Sequence, residues 1–395
     1  MKIGIFWSCF WEYGVGGTEM TAITLAEILS DEHSVEIIHS NPTLSRDDVI
    51  KLSGRKLENI DFRYVKGRQT SHKQLNRLRL FIEDYTFNKQ ISGRYDLFIN
   101  FTHKIPPSCH AHTGVLYVNF PFGDLSKPRW LNKSQTYPHL LYDSLSNMFY
   151  HWLSKRRLNS YKIKLSISEF SRKWTCKRWK VDSSILYVPV DTSFNADTSK
   201  ENIIVSVGRF DLIKRQAEML GIFREMTNSY HHGWKMYCAG GLSEEGVYNE
   251  IMRRFGTEDN IRIIVNSTRC ELKSLLEKSK IFWHAAGYGR DEKTYPERSE
   301  HFGIATVEAM AAGCVPVVIN KGGQSEIVQH GLNGFLWNTE DELKKYTMML
   351  IQDERLRMRM AEAARARAKF FSVEMFENRF RNIMQRYGVL KNRIS

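Results

Sequence analysis

The stretch Glu297–Val318, ERSEHFGIATVEAMAAGCVPVV, decides how the chain is read. Gly303 lets the backbone turn and approach a ligand closely, so a helix is expected to begin about there. Gly313 suits the position just past a helix end, and CVPVVI then reads as a buried strand. The predicted helix carries small apolar residues, Ala305, Val307, Ala309 and Met310, and among them Glu308. A helix packed in a core has no use for that carboxylate: either it points into solvent or something polar binds it. Glu300 stands in the loop ahead. Between the two carboxylates, the amides of Phe302, Gly303, Ile304 and Ala305 sit at the positive end of the helix without intrahelical acceptors, a ready site for phosphate. One ligand with phosphate in its middle and hydroxyls at each end meets all three features. A nucleotide-sugar has that shape, with Glu308 on the ribose, the amides on the diphosphate and Glu300 on the sugar. The plainer account is a first-turn glutamate favouring the helix dipole and a second one at the surface.

Outward from this stretch, short β-rich runs alternate with helical patterns. KIGIFW is a buried strand, GVGGTE a Gly-rich turn and EMTAITLAEILS a helix with apolar residues at helical spacing. SVEIIHS, YDLFINF, GVLYVNF and KLSIS are further strands. After the turn-rich VPVDTSFNADTSKEN the pattern restarts with the strand ENIIVSVGRF, the helix KRQAEMLGIFREM and the strands GWKMYCAGG, IRIIVN, IFWHAA and VPVVI. Such alternation predicts βαβ units and parallel sheets. The fold class is α/β, with two doubly wound domains, 1–195 and 196–370, and a terminal amphipathic helix within 371–395. Two such domains side by side leave a cleft at the carboxyl ends of both sheets, where ligands are expected.

A chain of 395 residues suits two domains, and a hydrophobic fraction of 42% with 12% aromatics argues against disorder. No apolar run approaches the roughly 20 residues a bilayer span requires. The N-terminal MKIGIFWSCFWEYGVGG reads as a first strand and not as a signal peptide. Six separated cysteines with no Cys-x-x-Cys pair point to reduced thiols and a cytoplasmic location. The net charge of +13 implies attraction to something acidic. From His151 to Lys180 ten Lys or Arg face one acid, Glu169, with Trp152, Trp174 and Trp179 interleaved. That combination suits an anionic membrane face, where cations meet headgroups and indoles sit at the boundary. A solvated helical face is the plainer alternative.

Arg209 and Lys214 lie just past a predicted strand, with Arg209 directly after Gly208. Paired cations there would stabilise the charge that develops on a departing diphosphate. In GVGGTE, Gly16 and Gly17 follow a strand and precede a helix, but the Gly-x-Gly-x-x-Gly spacing of a dinucleotide site is absent. Thr18 and Glu19 would equally cap the helix. His103, His110 and His112 have no accompanying carboxylate cluster, so no metal site is expected.

The pair Glu300 and Glu308 resembles the Glu-x7-Glu signature of retaining glycosyltransferases of the GT-B fold, family 4 in particular. GGQSEIVQHGLNGFLW (322–337) is similar to that family's next segment, and SVGRFDLIKRQ (206–216) to its Gly-Arg-x4-Lys element. SISEFSRKW, YVPVDTSF and GVGGTE resemble its strand-end serine element, its interdomain linker and its N-domain glycine loop. The resemblance is strongest over 200–340 and implies two Rossmann-like domains, the first binding acceptor and the second the nucleotide-sugar, with the terminal helix crossing back to the first. It further implies Glu300, Arg209 and Lys214 as catalytic residues and Gly16, Gly17, Phe302, Gly303, Ile304 and Glu308 as donor-binding residues. Asn119 stands where relatives often carry a histidine that reaches the sugar. Asn119 and His284 are candidate sugar contacts.

The implied reaction is retaining transfer of a hexose, with mannose a candidate, from a nucleoside diphosphate sugar to a saccharide acceptor, with a lipid-linked acceptor fitting the basic stretch. No Asp-x-Asp motif appears, so neither metal nor other cofactor is expected. Attack on the face the diphosphate leaves, with a diphosphate oxygen helping to deprotonate the acceptor, requires no protein nucleophile. The competing readings are a basic nucleic-acid-binding protein, a silent scaffold on the same fold, and a sugar phosphorylase or epimerase of related fold.

Overall fold

Apolar runs without alternation mark strands buried on both faces, the condition of a parallel sheet covered by helices. The structure is a computed structural model that describes residues 1–8, 16–55, 57–66, 77–125, 140–195, 198–230 and 233–390. The chain divides into two units, Met1–Val188 with Glu377–Ser395, and Pro189–Phe376.

The first unit holds β1 (Lys2–Trp7), β2 (Ser34–His39), β3 (Ile60–Tyr64), β4 (Leu97–Thr102), β5 (Thr113–Val118), β6 (Ile163–Ser166) and β7 (Ser184–Ile185). They form one sheet in the order β3-β2-β1-β4-β5-β6-β7. All pairs are parallel, and Ile5 of β1 lies in register between Ile37 and Ile99. β4 and β5 are buried along their whole lengths. Phe6, Phe98 and Tyr95 stack through the core beside Leu116, Tyr161 and Trp179. Each such aromatic contributes about 1.5–3 kcal/mol by burial. The C-terminal helix Val373–Arg386, which belongs to this unit from Glu377 on, carries its apolar residues at helical spacing, with Phe380 and Met384 fully buried. Arg381 reaches from this helix to Glu32 at 3.1 Å.

The second unit holds β8 (Glu201–Val207), β9 (Lys235–Gly240), β10 (Ile261–Val265), β11 (Ser279–His284), β12 (Val315–Ile319) and β13 (Phe335–Trp337). The order is β10-β9-β8-β11-β12-β13, again all parallel. Ile204 of β8 is flanked by Met236 and Ile281. Trp283, wholly buried, donates its indole N–H to Thr347 at 3.0 Å. Lys200 donates to the carbonyls of Leu276, Ser279 and Ala312 at 3.3, 2.8 and 2.7 Å, which ties two helix C-termini together.

In both sheets the strand order reverses once, between β1 and β4 in the first and between β8 and β11 in the second. Ligands of open parallel sheets bind outside the carboxyl ends at that reversal. The short strands β3, β7 and β13 are additions to the sequence reading.

Candidate functional site

The second unit's reversal point falls between the carboxyl ends of β8 and β11, and three of the predicted residues meet there. β8 ends at Val207, and the chain passes Gly208 so close to Gly240 that a Cβ on Gly240 would lie 2.0 Å from the Gly208 carbonyl oxygen. The following loop is folded by Asp211, whose buried carboxylate accepts from the amides of Ile213 and Lys214 at 2.9 and 3.0 Å. Gln216 closes it by donating to the Arg209 carbonyl at 2.7 Å. So built, the loop lays the Lys214 stem against Gly208 and brings its ammonium 2.5 Å from Glu300 Oε2.

His284, the last residue of β11, is 3.1 Å from the same oxygen through Nε2. An ionised carboxylate only accepts, so the histidine donates from Nε2 and its Nδ1 is an acceptor. That Nδ1 is buried and has no partner among the described residues. Burial alone would push the Glu300 carboxyl up, but Lys214 and His284 together outweigh it and hold it well below the usual carboxylate range. Burial lowers the His284 imidazole despite the neighbouring carboxylate. Near neutrality the trio is therefore an ammonium, a carboxylate and a neutral imidazole.

Glu300 continues into the helix Ile304–Ala311. Gly303 stands before it at φ +124°, and a Cβ there would lie 2.6 Å from Gln324 Nε2. Gln324 is buried and accepts from Thr306 Oγ1 at 2.9 Å, so it fixes the helix's first turn. The Gly322–Gly323 turn packs on the Glu300 carbonyl, with the Gly323 amide donating to it at 2.8 Å. The amides of Ile304 and Ala305 fall in the helix's first turn, where no intrahelical carbonyl is available. Phe302 is buried with its ring edge on Phe371, so only its backbone can serve a ligand. Gly303→Ala is expected to destabilise the second unit by about 1–3 kcal/mol through backbone strain and the Gln324 contact. A thermal melt followed by intrinsic fluorescence checks it, and an unchanged midpoint contradicts it.

Glu308 is only 7% exposed although its helix neighbours are apolar. Its partner is Arg269, whose Nη1 lies 2.6 Å from Glu308 Oε1. Burial raises the Glu308 carboxyl, and Arg269 offsets part of that rise. Arg209 takes neither glutamate: its guanidinium is exposed and stands 3.7 Å from Asp211. The loop after β11 is tied down by Lys321 on the Gly287 carbonyl at 3.0 Å and by Glu292 on the Gly322 amide at 2.6 Å.

In the first unit, Gly16 and Gly17 open the helix Gly17–Ser30. The Gly16 amide donates to Glu19 Oε2 at 3.1 Å, and Trp7 Nε1 donates to Glu19 Oε1 at 3.0 Å. Glu19 thus caps the helix and ties it to the end of β1. Gly14 and Val15 of that loop lie outside the described residues. Asn119, one residue past β5, is 3% exposed, and its Nδ2 is buried without a partner among the described residues. His103 packs on Trp7 with ring centroids 5.3 Å apart, and burial pushes it down to about 4. His110 packs edge-on against Tyr85 at 5.1 Å.

The basic stretch requires a correction. Trp179 is 1% exposed and donates to the Gly123 carbonyl, so it is core and not a boundary indole. Trp174 is half-buried beneath Lys177 and Arg178, at 4.4 and 5.0 Å. The exposed apolar surface lies instead on the helix Leu140–Asn159, where Met148, Phe149 and Trp152 face outward. Phe149 stacks on Trp152 at 5.8 Å, and Arg156 covers the same indole at 5.5 Å. Trp152, Lys155, Arg156, Asn159 and Ser160 line an open groove of about 420 Å³. No helix among the described residues is long and apolar enough to cross a membrane.

Sequence reasoning missed Arg269, Asp211 and Gln324. Arg269 had a signal in being the first helical residue after the cap Thr268, but nothing in the sequence pairs it with Glu308. Asp211 and Gln324 act on backbone and loop, which leaves no periodic trace.

Residues 191–367 match the family model described as Glycosyl transferases group 1. A Dictyostelium discoideum protein named GDP-Man:Man(3)GlcNAc(2)-PP-Dol alpha-1,2-mannosyltransferase is 26% identical over 224 residues, 52% of this chain and 42% of that protein. The chain thus spans less than half the length of that relative. A Campylobacter jejuni N-acetyl-galactosaminyltransferase, named for an undecaprenol-linked substrate, is 21% identical across 91% of this chain and 92% of its own. Among solved structures, Anabaena HepE in complex with UDP-glucose superposes with a TM-score of 0.67 at 18% identity, covering 98% of this chain and 100% of that one. The two parallel-sheet units are those of the GT-B fold.

Proposed function

Residues 191–367 belong to the glycosyl transferases group 1 family, and on that premise we propose that the chain transfers a hexose from a nucleoside diphosphate sugar to a saccharide acceptor with retention of configuration. The observation that carries this reading is the trio at the strand reversal: Lys214 and His284 converge on one oxygen of Glu300, directly before the helix that carries Glu308. Glu308 would accept from the ribose hydroxyls. The first-turn amides and Lys214 would hold the diphosphate, with Arg209 exposed and free to swing onto it from its long contact with Asp211. Glu300 would orient the sugar. His284, its Nε2 already engaged, would act on the sugar through Glu300.

Cations and helix amides together provide the electrostatic stabilisation a metal would otherwise supply, so the proposed transfer requires neither metal nor other cofactor. Gly16 and Gly17 at a helix start, and Asn119 with its unpartnered amide, are the first unit's proposed contributions to donor and sugar binding. The proposed donor is a GDP- or UDP-sugar, and mannose is the first sugar to try, because the names of the mannosyltransferase relatives include GDP-Man.

A screen of UDP-, GDP-, ADP- and dTDP-sugars for thermal stabilisation, followed by transfer assays with the best donor, tests the reading. Stabilisation by none of them contradicts it. Stabilisation by DNA or RNA with steep salt dependence would favour the nucleic-acid reading instead.

For the acceptor, we propose a lipid-linked saccharide met at an anionic membrane face, with Met148, Phe149 and Trp152 entering the boundary and Lys155 and Arg156 meeting headgroups. Co-sedimentation with vesicles of phosphatidylcholine and phosphatidylglycerol is expected to rise with the anionic fraction. Lys155→Glu with Arg156→Glu should reduce it about thirtyfold or more, at roughly 1 kcal/mol for each cation removed and more for the charges introduced. Binding indifferent to both changes contradicts the membrane assignment.

A further inference from the structure

We propose that Arg269 is a positioning residue for donor binding: it keeps the Glu308 carboxylate ionised and aims its open oxygen at the ribose hydroxyls. The inference rests on the donor reading above and adds a residue to it.

Glu308 is buried at 7% exposure on a helix of otherwise apolar residues, where an isolated carboxylate would protonate before it would stay charged. Among the described residues one cation approaches it. Arg269 Nη1 lies 2.6 Å from Oε1, and Nη2 lies 3.7 Å from Asp191 Oδ2. Among the described residues the charged groups acting on Glu308 are these two, Arg269 favouring the anion and Asp191 opposing it. The guanidinium is itself well anchored. Arg269 is the first residue of the helix Arg269–Lys278, and Thr268 and Glu271 form a reciprocal cap around that start at 2.7 to 3.2 Å. Asp191, the second contact, is braced by the Ser193 amide at 3.0 Å.

The geometry leaves half of the carboxylate open. Arg269 occupies Oε1, and Oε2 has no hydrogen-bond partner among the described residues. A carboxylate offers about four lone-pair sites, so a vicinal diol can bind while the ion pair stays intact. The exposure is asymmetric: the Arg269 side chain is 52% exposed and the Glu308 side chain 9%. The cation therefore stands on the solvent side of a buried acceptor.

Removing the guanidinium removes the charge that offsets burial, so the Glu308 carboxyl should rise further. A raised group loses its charge as pH falls through the folded value. A protonated carboxyl accepts fewer hydrogen bonds, so diol binding should weaken on that same descent. In wild type the loss begins on the acid side, and in Arg269→Ala it should move towards neutrality.

The test is calorimetric titration with the tightest-binding of UDP, GDP and ADP, each of which carries the ribose diol, from about pH 5.5 to 8.5, a window that covers much of the range reached by buried glutamates. The proteins are the full-length wild type, Arg269→Ala, Arg269→Lys and Glu308→Gln, with the double variant Arg269→Ala/Glu308→Gln. Arg269→Ala is expected to bind about tenfold more weakly at pH 7 and to recover as pH rises, Arg269→Lys to recover most of the affinity, and the double variant to be no weaker than Glu308→Gln. Arg269→Ala within twofold of wild type at every pH, with Glu308→Gln weak, overturns the inference and leaves the donor reading standing. A loss that is equal at all pH and additive with Glu308→Gln also overturns it, as mere structural support. Unchanged binding in Glu308→Gln would remove the donor reading itself.

Discussion

Lys214→Ala should cut turnover by about 10²–10³-fold while weakening donor binding far less. The reason is the timing of charge. A diphosphate in the bound donor already carries charge, but its bridging oxygen gains more as the sugar departs. An ammonium held at that point gains interaction energy along the reaction, and only such gains accelerate the chemical step. Lys214 is placed for this by Asp211 and Gly208, which fix its loop and stem, and it waits on Glu300 at 2.5 Å. Steady-state kinetics with the identified donor separate the two parameters. Equal losses in kcat and in donor affinity would reduce Lys214 to a binding residue.

Glu300→Gln should have a comparable effect on transfer, about 10²-fold, for a different reason. The amide keeps the volume but abolishes the charge that aligns Lys214 and His284. Both donors share the single oxygen Oε2 in wild type; the neutral Gln oxygen accepts them more weakly than a charged one, and its NH₂ is repelled by the ammonium. The same substitution has a stability signature with a defined sign. Glu300 is held well below its ordinary value of 4.5. Its stabilisation is therefore present above that ordinary value and is lost as pH falls towards the depressed one. Wild type should exceed Glu300→Gln in stability at pH 7, and the gap should close as the pH is lowered below about 4.5. Urea denaturation at a series of pH values reads this directly. A gap that widens on acidification would mean that Glu300 is not the ionised centre of the trio.

Much of this arrangement was legible in the sequence because it lies in local chemistry. Gly303 before a helix, Gly313 after it and the all-apolar VPVVI are backbone and burial signals that need no partner, and the helix Ile304–Ala311 and β12 appear where those residues place them. The alternating segments likewise prescribe two parallel sheets, whose reversal points follow from connection rules. What was not legible is pairwise. Glu300 meets Lys214 across 86 positions of sequence, and Glu308 meets Arg269 across 39. No periodicity encodes either meeting. The resemblance supplied Lys214 as a partner for a diphosphate, and the structure adds that its resting partner is Glu300. It supplied nothing for Arg269. The tryptophans show the opposite error: composition placed Trp179 at a surface, whereas its indole fills the first unit's core. Charge runs count residues without regard to which face each occupies, so Met148 and Phe149, just ahead of the run, were overlooked.

The claim on which everything turns is that Lys214, Glu300, Glu308 and the first turn of Ile304–Ala311 receive one nucleoside diphosphate. Titration of purified protein with UDP and GDP, in wild type and in Glu308→Ala, measures it most directly. The account predicts saturable one-to-one binding of at least one of them, competitive with its sugar conjugate and weakened about tenfold or more by loss of the ribose contacts in Glu308→Ala. Binding that is undiminished in Glu308→Ala and in Lys214→Ala, or no binding of either nucleotide to wild type, would contradict it.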